Sequence, residues 1–349
     1  NVTLCPTAKL TVNKGEYTTK GDLLINAEKD NVVAEVTINS AKANNLGNVE
    51  VSGKLTAKAL TNAVGATLKV NPATGEGRDK SGTSLTNNGT VETGAADVTK
   101  NYFGGTINVA TLNNNNNAII NTNGELVVNN GGTNKGVITL KGDKYALIKL
   151  KANSYTNSGR IVIEKPENYC MYTYYKEWNK LESLKGNGTI ETTITTQEQY
   201  NAVLAQQTKY QSDSDKFTAW DVINKVYVKG NLNLTKVSSE KNSSLLKEIV
   251  LNDNVKLSVA NNLKIGKLSI EGTNTTVQSI SGTATLNATS MVVNESKKVD
   301  ITKDVKLVIA YDEFIVNSKN YMLNVAGTLN NYGWIDTDNS TEAEANKLS

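Results

Sequence analysis

A strand-like triplet recurs through the C-terminal half of this chain: Val226-Tyr227-Val228, Ile249-Val250-Leu251, Leu268-Ser269-Ile270, Met291-Val292-Val293 and Phe314-Ile315-Val316. Successive triplets lie 23, 19, 23 and 23 residues apart, a beat kept by stacked structural units and not by a globular domain. Each is followed by a polar turn and a second short apolar run, as in VLNDNVKLSV at 250–259 and VVNESKKVDI at 292–301. Two or three strands per coil, stacked at about 4.8 Å, define an all-β parallel β-helix, a β-solenoid. Parallel crossovers are overwhelmingly right-handed, so the expected hand is right.

The N-terminal half carries a second signature, N-x-G-x-[IV], at Asn87/Gly89/Val91, Asn134/Gly136/Ile138 and Asn157/Gly159/Ile161, and again at Asn331/Gly333/Ile335. Glycines 89, 136 and 159 are 47 and 23 residues apart, two coils and then one of the same period. The glycine is expected to supply positive φ at a corner between strands, and the β-branched residue to start the next strand pointing inward. The Asn side chain satisfies backbone groups that the corner leaves unpaired, and Asn at equivalent corners can stack into a ladder of amides. Asn is about one residue in seven, and corners of this kind account for that abundance. The run Asn113 to Asn117 is expected to be a loop or part of such a ladder. Matches to N-x-[ST], such as Asn274/Thr276, are taken as turn chemistry.

These corners, as in TNNGTVETG at 86–94 and TNSGRIVIE at 156–164, resemble the β-helical repeats of filamentous-haemagglutinin-type adhesins and of large secreted proteins from gut Bacteroidetes. The resemblance is one of repeat style over most of the chain. It implies a secreted or cell-surface protein of the bacterial outer surface, with a glycan or a host or cell-surface protein as partner. The broader pectate-lyase-like superfamily is similar in architecture only. It would imply carboxylates for calcium and a Lys or Arg base on one strand face, whereas the acidic residues here are scattered and the chain has no His.

The remaining composition narrows the function classes. A net charge of +3, from 37 basic and 34 acidic residues, gives no strong field toward nucleic acid or an anionic membrane. No segment approaches the roughly 18 consecutive apolar residues of a membrane span, so an integral membrane protein is not expected. The chain starts at Asn1 without Met, as expected where a signal peptide has been removed. Cys5 and Cys170 are the two cysteines; one disulfide is open to them, and two buried free thiols are the expectation. Neither metal nor cofactor is expected.

One stretch breaks the beat. Thr195 and Glu198 read as a capping box, and Tyr200, Val203, Leu204 and Tyr210 fall along one face of a helix over 197–210. The expected organisation is a solenoid segment at 1–194, a helix and loop at 195–222 acting as cap or insertion, and a second solenoid segment at 223–349. Just ahead lies YCMYTYYKEW, 169–178, with Tyr169, Tyr172, Tyr174, Tyr175 and Trp178. These rings are either a stacking platform for sugars or, with Trp220, a small satellite core over an interrupted flank.

No catalytic residue is singled out. The acid pairs Asp213/Asp215, Asp312/Glu313 and Asp336/Asp338 are expected in loops, without the spacing across a cleft that glycosidases need. The leading expectation is therefore a non-catalytic extracellular or cell-surface β-helix serving as a stalk or adhesin-like binder. The alternatives are a polysaccharide lyase or glycoside hydrolase with a groove along the helix, and a carbohydrate-binding module centred on 169–178.

Overall fold

The computed structural model describes residues 1–26, 34–39, 42–52, 54–57, 60–63, 65–70, 84–94, 106–123, 125–141, 147–150, 155–172, 184–212, 216–236, 246–310 and 323–338. These residues form a parallel β-solenoid, and the chain divides into two compact units, Asn1–Ile190 and Glu191–Ser349.

In the first unit one sheet runs through Val2–Leu4, Asp22–Ile25, Asn48–Val51, Thr67–Val70, Thr90–Thr93, Ile119–Thr122, Val137–Leu140 and Arg160–Ile163. All pairings are parallel, and the column Val2, Leu23, Val49, Leu68, Val91, Ile120, Ile138, Ile161 advances one strand at each step. Seven steps carry the chain from Val2 to Ile161, a mean close to the 23-residue beat. A second sheet stacks Glu16–Thr19, Lys42–Asn45, Leu60–Asn62, Ser84–Asn87, Thr106–Asn114, Glu125–Asn134 and Tyr155–Asn157. A third begins with Lys9–Val12, Glu35–Ile38 and Lys54–Ala57.

The core follows from strand alternation. Leu23, Val49, Leu68, Val91, Ile120, Ile138 and Ile161 are buried, while their neighbours in sequence, Thr139 excepted, are half-buried or exposed. Each such aliphatic side chain contributes about 1.5–3 kcal/mol relative to exposure. On the second sheet the inward column runs Leu85, Leu112, Gly132, Tyr155. Gly132, at φ 133°, has no side chain where a Cβ would lie 1.9 Å from the Leu112 carbonyl oxygen. Tyr155, on the next coil, is fully buried. Burial pushes its phenol far above the ordinary tyrosine range, so its proton stays in place.

At the corner after the second sheet, the expected amide ladder is present. Asn45, Asn62, Asn87, Asn114, Asn134 and Asn157 are all buried. Each of the first five donates from Nδ2 to Oδ1 of the next, at 2.8, 2.9, 2.9, 2.8 and 2.8 Å. Nδ2 also reaches a backbone carbonyl beyond the corner, as Asn87 to Ile119 at 3.0 Å and Asn134 to Arg160 at 3.2 Å. Oδ1 accepts from the glycine two residues on, at 3.1 Å for both Gly47 and Gly89.

The role expected of the corner glycines needs correction. Gly89, Gly136 and Gly159 do not have positive φ. They are small because the coils touch there: a Cβ would lie 2.3 Å from Ala63 O, 2.2 Å from Ala118 O and 2.2 Å from Gly136 O, respectively. Two corners, from Asn62 to Leu68 and from Asn114 to Ile120, are two residues longer. They put Gly65 (φ 76°) or Asn117 (φ 64°) in the left-handed region and buried Ala66 or Ala118 in the small-residue column. The Asn run at 113–117 is therefore both ladder and loop.

The second unit repeats the three-sided coil. One face pairs Glu191–Ile194, Lys225–Val228, Glu248–Leu251, Lys267–Ile270 and Ser290–Val293 in parallel. Met291–Val293 then pairs with Leu323–Val325; the triplet Phe314-Ile315-Val316, expected there, lies outside the described residues. A second face stacks Leu232–Leu234, Lys256–Val259, Thr275–Ser279, Lys298–Ile301 and Thr328–Asn331. Asp336 and Asp338 lie on the strand Trp334–Asp338, paired with Val305–Ala310, and not in a loop.

This unit also holds helix α1, Gln197–Lys209, and the single turn α2, Ala219–Val222. The N-cap of α1 is Thr196, not Thr195: Thr196 Oγ1 accepts from Gln199 N at 3.1 Å, and Gln199 Oε1 accepts from Thr195 N at 3.0 Å. Tyr200, Val203 and Gln207 form its buried face, while Leu204 and Tyr210 are half-buried. The Thr218–Asp221 pair caps α2, with Asp221 Oδ2 accepting from both N and Oγ1 of Thr218 at 2.7 Å.

Removing one ladder rung leaves buried amide and backbone groups of its neighbours unpaired, which costs about 1–3 kcal/mol for each orphaned group. Asn87→Ala is expected to lower stability by about 3 kcal/mol, read as a lower denaturant midpoint. Asn116→Ala, at an exposed turn position, is expected to stay within about 0.5 kcal/mol of wild type.

Candidate functional site: outward columns of the coils

Strand pairing in strict register lines up outward side chains as well as inward ones. In the first unit the residue before each ladder Asn faces outward. Thr18, Asn44, Thr61, Thr86, Asn113, Thr133 and Thr156 are register partners over seven consecutive coils. Thr18 is exposed and the other six are half-buried. Thr133 Oγ1 donates to Asn113 Oδ1 at 3.2 Å within the column. The sequence signal for it is the dipeptide Thr-Asn or Asn-Asn that precedes the corner, as at Asn44-Asn45, Thr86-Asn87 and Thr156-Asn157.

The other faces of this unit are ionic. Glu50, Lys69 and Glu92 are register partners on the first sheet, with Lys69 Nζ 3.3 Å from Glu50 Oε1, and Asn121 Nδ2 donates to Glu92 at 3.3 Å. Lys9 and Glu35 pair at 3.6 Å on the third sheet, while the Lys42–Glu16 pair, at 3.2 Å, stands at the start of the second sheet's own strands.

In the second unit the register column Glu191, Lys225, Glu248, Lys267 alternates in sign along one sheet, with Glu191 buried at its start. Glu248 is its most engaged member. Lys225 Nζ lies 3.1 Å from Oε2, Lys267 Nζ lies 3.2 Å from Oε1, and Ser269 Oγ donates to Oε1 at 2.5 Å. Lys225 Nζ also sits 4.9 Å from the centroid of the Tyr227 ring. Partial burial works to raise the Glu248 pKa. The Ser269 hydrogen bond and the two lysines outweigh it and hold the carboxyl below the ordinary glutamate range. For Lys225 burial works downward, and Tyr227 and Glu248 outweigh it and hold the ammonium above the ordinary range.

The aromatic segment singled out from sequence is only partly described. Tyr169 closes a 3-10 turn, Pro166–Asn168, and is 7% exposed, which turns its ring away from solvent. Tyr172 ends the short strand Cys170–Tyr172. Tyr174, Tyr175 and Trp178 lie outside the described residues. Trp220 packs edge-on against Tyr200 within the second unit, with ring centroids 5.6 Å apart. The Tyr200 hydroxyl donates to Lys236 O at 2.9 Å and accepts from the N–H groups of Thr235 and Lys236 at 3.1 and 3.0 Å. Asp213, Asp215, Asp312 and Glu313 also lie outside the described residues. Cys5 is an exposed free thiol and not the buried one expected, because its coil is the first of the described stack.

Among the described residues, no group of three or more His, Cys, Asp or Glu is placed to hold a metal ion. No helix among them is long and apolar enough to cross a membrane. No known family model, curated protein or solved structure matches the chain.

Because the folded-state pKa of Glu248 is depressed, its ionic contacts contribute stability above the ordinary glutamate range. That contribution is lost as pH falls through and below this range. Glu248→Gln is expected to cost about 1–2 kcal/mol at neutral pH. Thermal melts of the two proteins should converge as the pH is lowered below the ordinary glutamate range.

Proposed function

We propose that this chain is a non-catalytic, secreted or cell-surface β-helix, a structural stalk or adhesin-like binding protein that makes multivalent contact with glycans or cell-surface proteins. The observation that carries this is the outward column of seven Thr and Asn side chains in the first unit. One weak hydrogen-bonding group per coil, repeated in register, gives little affinity at any single position. Linked contacts add up through effective concentration. The resemblance of the Asn-Gly corners to those of secreted adhesins supports the same surface placement.

The alternative, a polysaccharide lyase or glycoside hydrolase, draws on the Glu248 cluster, where an acid and two lysines meet on one sheet face. A lysine serving as general base must be neutral near the working pH, and a carboxyl serving as general acid must be protonated there. Lys225 is held protonated and Glu248 ionised, a state suited to mutual pairing. The 169–178 segment remains the third candidate, as a carbohydrate-binding module.

The test is to present the whole chain, labelled, to an array of bacterial and host polysaccharides at graded surface density, and to assay the same polymers for new reducing or unsaturated ends. Binding that climbs steeply with density, without new ends, is the expected result. Turnover abolished by Glu248→Gln would establish the enzyme instead.

A further inference from the structure

We infer that the Thr18–Thr156 column binds a linear, uncharged polysaccharide laid along the stack of coils. This rests on the binding function proposed above and names its face and ligand class. Three features on the same strands carry it.

The first is repetition. Register partners in a parallel sheet are about 4.8 Å apart, close to the length of one extended β-linked hexose unit. A single chain of such sugars can thus meet one Thr or Asn per residue. The second is chemistry. Threonine offers one O–H donor and an acceptor oxygen, and asparagine offers two N–H and a carbonyl, a set that matches sugar hydroxyls in both directions.

The third is that, among the described residues, no charge stands beside the column's middle. The flanking positions there are half-buried Ala63, Asn88 and Asn115 on the corner side, and half-buried Thr111 and buried Gly131 on the other. Among the described residues the nearest charges are toward the ends of the strip, at Lys20 and the Glu16–Lys42 pair and at Lys135 and Lys185. The first sheet of the same unit carries Glu50, Lys69 and Glu92 at its equivalent column. A charged polymer would find partners on that ionic face; a neutral one gains nothing there and is matched on the second sheet.

The column is also preorganised. Every member from Asn44 to Thr156 is bonded through the backbone to a buried ladder Asn, whose side chain is fixed by the coils above and below. Ordering a binding face in advance removes part of the entropic cost of association.

The test is affinity electrophoresis of the whole chain in native gels containing hydroxyethyl cellulose, which is neutral, or carboxymethyl cellulose, which has the same backbone with charge. The variant is the triple change Thr61→Val, Thr86→Val and Thr133→Val, which keeps shape and strand preference and removes three hydroxyls. Wild type should be retarded by the neutral polymer and at least tenfold less by the charged one. The triple variant should lose about tenfold or more in affinity with an unchanged melting temperature. Glu50→Gln with Lys69→Gln should bind as wild type does. Equal retardation of wild type and triple variant, or stronger retardation by the charged polymer, overturns the assignment. A wild type that binds arrayed glycans but is indifferent to the valine changes overturns this column alone and leaves the broader binding function standing.

Discussion

An asparagine amide carries two N–H groups and a carbonyl, so a buried position that recurs once per coil can be satisfied by copies of itself. The six-membered ladder of the first unit is that solution. Each Nδ2 divides its two hydrogens between the next Oδ1 and a carbonyl past the corner, and each Oδ1 faces the preceding amide. No other residue type does all of this. Aspartate would stack like charges about 4.8 Å apart, and a hydroxyl has only one hydrogen to give. The ladder's limits show the same logic. Thr19 holds the equivalent position one coil before Asn45. At the far end Lys185 pairs with Thr156, which puts Gly186 opposite Asn157 and ends the series.

The ladder's demands spread into the neighbouring columns. Beyond each rung the corners of successive coils touch, two residues on at Gly47, Gly89, Gly136 and Gly159 and four residues on at Ala66 and Ala118, and these six small residues share one column. The second unit closes its corresponding strands mainly with Leu234, Val259 and Ile301, which are buried, and relies on charge alternation outside. Salt bridges across coils, from Lys9–Glu35 to Lys267–Glu248, join residues at one register position. Exposed pairs of this kind contribute little stability each. A slipped register, however, would set like charges opposite one another and turn apolar residues outward. Their value is in specifying the register.

The period, the parallel strands, the helix and the amide ladder were legible in the sequence because each is written as spacing between residues of one kind. The reason for the corner glycines was not. Positive φ and close approach of a neighbouring coil select the same residue, and only packing across coils separates them. Asn62 and Asn114 escaped the N-x-G pattern for a related reason. Their corners are longer by two residues and substitute alanine for glycine, so the motif fails although the ladder continues. The cap of α1 moved from Thr195 to Thr196 because Gln199 satisfies Thr195 N as readily as Glu198 could have done. The outward Thr and Asn column was hidden by its neighbour, since the Asn in each Thr-Asn pair accounts for the motif by itself.

That pair of residues shows how one repeated dipeptide can serve two ends. In a strand, adjacent side chains point to opposite faces, so the second residue is enclosed by the coil and the first is left to solvent. Buried Asn87 sets the register of its coil, and half-buried Thr86 inherits that register on the outside. Selection for a regular interior therefore produces a regular exterior without any further instruction. It also separates the consequences of change: substitutions at the inward member act on the fold, and those at the outward member act on whatever the face meets. A surface built in this way gains affinity by adding coils, and its specificity is set by what stands at the outward position of each coil.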